Sequence, residues 1–384
     1  KNQIGHLSGF DKENNPVYDF DDNIDAAKTI GVNNIWTGGA SGLNLNGSGI
    51  VIGHWEATGL AHSTHQELNG KITHAESSVI TNDHATHTAG TMIGTGLDPQ
   101  ARGIASGATI ISRKSDSDEA EIADFAAGGG ILTNHSYRTG NTNNTTSVFG
   151  VYTDNVREWD EIMYNAPFLT MCKSAGNERN DVPAINGGDN GYDIINTVSG
   201  CKNLITVGAV NKISAYTDPQ SVVLSTFGNW GPTDDWRIKP DFTAAGVDLY
   251  SSTYLSASPN DTSYSLKSGT SMATPTVTGA IALLQQHYHN KKAVYMTSAT
   301  VKALLIATID AVGANDGPDF QSGWGLVNAE RAAKVISDNG TKSRISELTL
   351  NNGSTYTTTI KVDGTSALAL TIAWTDPAGS PVAD

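Results

Sequence analysis

The chain has 384 residues, with 24 Lys and Arg against 39 Asp and Glu, a formal net charge of −15. That acidity argues against a phosphate-binding surface, and no stretch approaches the ~18 uninterrupted apolar residues of a membrane span, so neither nucleic acid nor membrane is expected as a partner. With 38% hydrophobic residues, 16% charged and 40 glycines, the chain is too apolar for disorder and too glycine-rich for a helical bundle; one large α/β domain with a smaller appendage fits its length.

Residues 1–46 are polar and mixed, and predict an N-terminal arm wrapped over the surface, with one helical patch over 23–36 behind the capping pair Asp21-Asp22. From Gly49 onward, short β-branched runs alternate with helical stretches: Ile50-Val51-Ile52, Thr109-Ile110-Ile111, Phe168-Leu169-Thr170-Met171 and Leu204-Ile205-Thr206-Val207. Unbroken apolar strands between helices imply a doubly wound, mostly parallel sheet with helices on both faces. The clearest helix, 271–289, is apolar nearly all round and therefore belongs in the core. Two amphipathic helices over 298–308 and 327–335 complete an α/β domain spanning 47–340. Beyond Asp338-Asn339-Gly340, the segments 344–350, 355–362 and 367–374 alternate in period two between the turns Asn351-Asn352-Gly353 and Asp363-Gly364. They predict the opening strands of an all-β module over 341–384, cut short because three strands with bare edges make a poor domain. The start at Lys1, without a charged-then-apolar leader, reads as a soluble and already processed chain.

Cys172 and Cys201 have neither a CxxC spacing nor nearby histidines at zinc spacing, so a structural zinc site is not expected. They fall on or beside neighbouring parallel strands at different heights, and a disulfide needs Cα atoms within about 7 Å; a bridge and two buried free thiols are both open.

Four segments carry chemistry. In Ser268-Gly269-Thr270-Ser271-Met272-Ala273-Thr274-Pro275 a small-residue turn feeds the apolar helix, and Pro275 is expected in its first turn. Ser271 then sits at the positive end of a helix dipole, suited to acyl transfer, although a plain N-cap serine has the same pattern. In Asp83-His84-Ala85-Thr86-His87-Thr88-Ala89-Gly90 a histidine opens a small-residue helix, as a general base, as one of a His84/His87 metal pair, or as a capping or core residue. Residues 49–59 form a buried strand ending in Glu56, at the strand terminus where open α/β sheets collect catalytic groups. A solvated glutamate at a loop start is the ordinary alternative. Residues 170–178 repeat the strand-then-turn pattern and end in Asn177, an oxyanion donor or a turn former.

A carboxylate, a His, an Asn and a Ser in that order on a doubly wound sheet resemble the subtilisin-like serine proteases over about residues 47–333. Gly-Thr-Ser-Met-Ala-Thr-Pro and the block from His84 to Gly90 are the most specific parts. Asn134-His135-Ser136-Tyr137, Phe227 to Pro232, Lys239-Pro240-Asp241 and Gly323-Trp324-Gly325 extend the match. Gly9-Phe10 through Pro16-Val17-Tyr18, together with the trailing β segment, look like the secreted bacterial branch with a C-terminal β-sandwich. The resemblance implies Ser271 as nucleophile, His84 as its base, and Asn177 as oxyanion donor. It implies two walls for an extended peptide, Ser136, Tyr137 and Arg138 on one side and Ser174, Ala175 and Gly176 on the other. It further implies a protein or peptide substrate, export, a propeptide during maturation, and calcium at loops without an assignable ligand set.

One position departs from the family pattern: Glu56 stands where an Asp orients the imidazole. Either carboxylate can accept the Nδ1–H bond, so reach decides, and Asp83 is the rival. The expected activity is a serine endopeptidase; the alternatives are a peptide ligase or cyclase on the same fold, and a catalytically weak pseudo-protease that binds peptides or a protein partner.

Overall fold

The computed structural model describes residues 23–77, 80–138, 149–181, 185–257, 260–313, 317–362, 364 and 367–381, together with the backbone of two preceding strands, β1 (Gly5–Phe10) and β2 (Pro16–Phe20). These two pair antiparallel. The helical patch expected over 23–36 is shorter: α1 (Asn23–Thr29) stops before Gly31, where φ of +70° turns the chain into a single 3-10 turn. It also does not lie over the surface. Ala26, Ala27, Ile30, Val32 and Ile35 are buried, and Trp36 donates its indole N–H to the carbonyl of Ile104 at 2.7 Å. An apolar spacing of three and four drew this part of the predicted arm into the core.

The main sheet takes strands from across the chain: β3 (Val51–Glu56), β4 (Ile72–His74), β5 (Thr109–Lys114), β6 (Leu132–His135), β7 (Thr170–Ser174), β8 (Ile205–Asn211) and β9 (Phe242–Val247). Their spatial order is β4-β5-β3-β6-β7-β8-β9, and every neighbouring pair is parallel. A short antiparallel hairpin, β10 (Leu249–Ser252) and β11 (Tyr264–Lys267), follows β9.

Helices cover both faces, as the apolar strands require. On one face lie α2 (Asp83–Ile93) and the 23-residue α5 (Thr270–Lys292), flanked by α6 (Ser298–Thr308) and α7 (Ala329–Ser337), over a core of Ile52, Ile110, Leu132, Val207 and Ala244. On the other lie α3 (Asp118–Ala127) and α4 (Asp154–Asn165), over Trp55, Met171 and Leu204. Cys172 belongs to the first core and Cys201 to the second, so the sheet separates them; both are free and buried, and burial pushes both thiols upward in pKa.

The C-terminal expectation needs correction. Among the described residues of 344–381 no strand ladder forms; the turn at Asn352-Gly353 is present, but its flanks stay unpaired. Leu350, Leu370, Ile372 and Trp374 remain exposed, so the period-two faces have no second layer to cover them, and hairpins without one are marginal in water. The segment is tied down by polar contacts instead, including Asp376 N–H to Asn203 Oδ1 at 2.8 Å and Gly379 N–H to the Tyr152 hydroxyl at 2.9 Å. Among the described residues no helix is long and apolar enough to cross a membrane.

Candidate active site

Parallel strands deliver their carboxyl ends to one edge of the sheet, and the predicted site residues gather there. In β3 the period of two turns Trp55 toward α3 and sends His54 and Glu56 toward α2. Helix α2 starts where Asn82 caps it, its Oδ1 accepting the Ala85 N–H at 3.1 Å, which sets His84 in the first turn facing the end of β3. Glu56 Oε2 lies 2.8 Å from His84 Nδ1. The other oxygen, Oε1, accepts the Thr88 hydroxyl at 2.7 Å and has His54 Nε2 at 3.2 Å. The extra methylene of glutamate therefore reaches the ring.

Electrostatics follow from that geometry. Burial alone would raise the Glu56 carboxyl, but the facing His84 charge and hydrogen bonds from His54 and His84 hold it at about 2. Burial lowers the His84 imidazole, and the charge and hydrogen bond of Glu56 outweigh it, so its pKa is raised. A depressed carboxylate contributes stability that is present above pH 4.5 and is lost as pH falls toward 2, here about 3 kcal/mol. In a Ser271→Ala background, which keeps any activity of that serine out of the measurement, the denaturation midpoint of Glu56 protein should exceed that of Glu56→Gln near neutrality. The gap should close between pH 4.5 and 2; a gap independent of pH would contradict the assignment.

The rival acid does not reach the ring. Asp83 Oδ1 takes the backbone N–H of His84 at 2.7 Å, and its Oδ2 pairs with Lys267 at 2.7 Å. His87 forms no pair with His84 for a metal: its ring is buried, with Nε2 against the carbonyls of Leu249 at 2.9 Å and Ser265 at 3.2 Å, and burial holds it down at about 3. Among the described residues no group of three His, Cys, Asp or Glu gathers to hold a metal ion.

Ser271 is the second residue of α5. Its hydroxyl donates to the carbonyl of Ser136 at 3.0 Å, and Ser136 Oγ returns a bond to the carbonyl of Ser271 at 3.0 Å. The second bond has a cause in sequence. Pro275 lies in the second turn of α5, not in the first as expected, and its missing N–H leaves the Ser271 carbonyl four residues earlier without a helical donor. Ser136 supplies one, and is itself held by Asn134 and, behind it, Thr278. Among the described residues no hydrogen bond joins Ser271 to His84. A staggered rotation about Cα–Cβ redirects a serine hydroxyl, and catalytic contacts are commonly loose before substrate binds.

Asn177 follows β7 through Gly176, whose φ of +116° and crowding admit no side chain: a Cβ there would lie 2.2 Å from Asn229 Nδ2. Thr270 fixes the amide, donating its N–H to Asn177 Oδ1 at 2.8 Å and its hydroxyl at 3.0 Å, which leaves Nδ2 as the outward donor beside the start of α5. Asn177→Ala is expected to lower kcat by about 10²–10³ with KM little changed, the size known for the oxyanion asparagine of subtilisin itself. Steady-state kinetics on a peptide substrate check this, and a loss below threefold would count against the role.

The predicted peptide walls are only partly in place. Ser136 faces Ser271, and Arg138 is exposed, 3.7 Å from Glu178 Oε1. Tyr137 alternates to the other side of the chain: its ring is buried, its hydroxyl donates to Asp118, and its carbonyl accepts from Lys173 at 2.9 Å. It is a core residue, not a wall. Ser174, Ala175 and Gly176 are buried, and their main chain is already bonded: Ser199 Oγ to Ser174 O, Ala175 N–H to Val207 O, Asn196 N–H to Ala175 O, and Gly176 N–H to Thr270 Oγ1. A strand cannot be added to an edge whose hydrogen bonds are taken, so this side offers surface only.

Sequence reasoning missed His54, Thr88, Thr270 and the consequence of Pro275. Two of these were within reach: His54 stands two residues before Glu56 on one strand face, and Thr88 one turn after His84 on one helix face.

The sheet order, the buried helix bearing Ser271 and the strand-end carboxylate place the protein in the class of subtilisin-like α/β folds. Residues 21–325 match the profile of the subtilase family, peptidase S8, and the chain belongs to that family of serine proteases. It is 34% identical over 148 residues to the subtilisin-like protease SBT3.2 of Arabidopsis thaliana, covering 33% of this chain and 19% of that protein. It is 32% identical over 161 residues to the C5a peptidase of Streptococcus pyogenes, covering 39% of this chain and 13% of that one, so both matches span a fifth or less of the relative. Among solved structures, the prenylagaramide maturation protease PagA superposes with a TM-score of 0.56 at 20% identity, over 76% of this chain and 94% of its own. Fervidolysin from Fervidobacterium pennivorans gives 0.54 at 22%, over 76% and 43%. At such identities these two neighbours share the fold.

Proposed function

We propose that this protein is a serine endopeptidase with a Ser271-His84-Glu56 triad. Ser271 Oγ attacks the carbonyl carbon of a peptide bond as its proton passes to His84 Nε2. Glu56 holds the ring through Nδ1 and stabilises the imidazolium, and Asn177 Nδ2 donates to the tetrahedral oxyanion. The amine departs with the proton from His84, and water then releases the acyl group by the same route. The observation that carries the reading is the 2.8 Å contact between Glu56 Oε2 and His84 Nδ1 at a buried carboxylate. The substrate on this reading is an extended protein or peptide; export and a maturation propeptide belong to it through the family resemblance alone.

One observation favours a second reading, a weakly catalytic peptide-binding protein: the Ser271 hydroxyl rests on the Ser136 carbonyl. Labelling with a serine-directed phosphonate separates the two. A covalent adduct mapped to Ser271 in the folded protein, with hydrolysis of a peptide library, supports the protease; neither adduct nor cleavage would support the binding module.

A further inference from the structure

Only one oxygen of Glu56 serves the triad. The other, Oε1, accepts the Thr88 hydroxyl at 2.7 Å, and the hydroxyl oxygen lies 2.8 Å from His54 Nε2. His54 and Thr88 are fully buried. Thr88 has one proton to give, and Glu56 is nearer than the carbonyls of Ala85 at 3.1 Å and His84 at 3.2 Å. Its oxygen therefore accepts from His54, which makes Nε2 the protonated nitrogen of that ring. Nδ1 of His54 is buried without a hydrogen-bond partner among the described residues, and in this tautomer it carries a lone pair rather than a stranded N–H. The result is a directed chain, His54 N–H to Thr88 O–H to Glu56 Oε1, in which the same His54 N–H, shared, also lies 3.2 Å from Oε1, built from the strand that bears the acid and the helix that bears the base.

We propose that His54 is a positioning residue: acting through Thr88, it fixes the Glu56 carboxylate so that Oε2 stays on His84 Nδ1, and so offsets the additional rotatable bond that a glutamate brings to the acid position. The inference rests on the triad reading above. A shorter acid has less freedom to restrain; a glutamate that swung about its last bond would leave His84 free to adopt the wrong tautomer. The groups facing Glu56 are His54 from its own strand and His84 and Thr88 from α2, with His135 of β6 and Lys173 of β7 acting on it at longer range.

The test compares His54→Leu with His54→Gln, whose amide N–H can stand near the Nε2 position, and Thr88→Val with Thr88→Ser. Each variant is assayed for kcat, KM and the pH profile of kcat/KM on a peptide substrate, with folding checked by thermal melting. His54→Leu should lose about 10²-fold in kcat with KM within about twofold, as expected for a displaced catalytic group. Its acid limb should move to lower pH, because His84 loses part of the contact that raises it. His54→Gln should recover at least about tenfold, Thr88→Val should match His54→Leu, Thr88→Ser should stay near wild type, and His54→Leu with Thr88→Val should cost no more than the larger single change. A folded His54→Leu variant with wild-type kcat and pH profile would overturn the proposal, as would equal losses in the Leu and Gln variants. If His54→Leu fails to fold, the Thr88 pair decides by the same criteria. Absence of a phosphonate adduct at Ser271 in the wild type would instead remove the triad reading itself.

Discussion

Ser271→Ala is expected to lower kcat by about 10⁶, the size known for the nucleophile of subtilisin itself, and to abolish phosphonate labelling. The fold should survive the change. The hydroxyl makes one partly buried bond, to the Ser136 carbonyl at 3.0 Å, whose loss costs about 1 kcal/mol. The return bond from Ser136 Oγ runs to the backbone of residue 271 and does not depend on its side chain. Hydrolysis of a peptide by wild type and variant at matched melting temperature is the measurement. Equal rates in the two would remove Ser271 from the chemistry and leave the fold with another use.

The second large effect concerns Glu56. Glu56→Gln should cost about 10⁴ in kcat, the loss seen when the carboxylate of a serine-protease triad becomes an amide. An amide can present its N–H to His84 Nδ1, which forces the ring to carry its proton on Nε2, where it cannot accept one from Ser271. The acid limb of the residual activity should lie at lower pH, since the charge that raises His84 has gone. Glu56→Asp, a return to the family residue, should also lose activity, by about 10². Shortening by one C–C bond withdraws the carboxylate by about 1.5 Å from His84, Thr88 and His54 together, because β3 and α2 stand at the separation a glutamate spans. An aspartate variant as fast as wild type would show that the backbone has made no such accommodation.

The large features were legible because they are set by local chemistry. Short apolar β-branched runs without alternation, such as Leu204-Ile205-Thr206-Val207, fit strands covered on both faces, and the sheet followed from them. Glu56, His84, Asn177 and Ser271 were legible as ends of elements, and the sheet brings those ends to one edge. What could not be read depends on partners distant in sequence. Nothing within 130 residues of Ser271 announces that Ser136 bonds it, and the direction of Tyr137 depends on Lys173 and Asp118 lying beneath it. The main chain of 174–176 looked available because its partners, Asn196 and Ser199, Val207, and Thr270, come from three other segments. The C-terminal alternation was misread for a related reason: period two records a preference for a half-covered sheet, while a sheet also requires the cover.

Helix α5 holds a further consequence. The turn that carries Ser271 begins a helix whose residues Ala280 to Leu284 are wholly buried beneath the sheet, with Gly279 so tightly set against Ile104 that a Cβ would lie 2.5 Å from the isoleucine's own. On the proposed triad, the nucleophile Ser271 is thus mounted on a helix packed directly into the core. On the proposed activity, this bears on survival among its own kind. A copy that has opened far enough to become a meal has already dismantled its blade, so attrition in a stored sample should spare the intact copies, with the activity per folded molecule holding constant while their number falls.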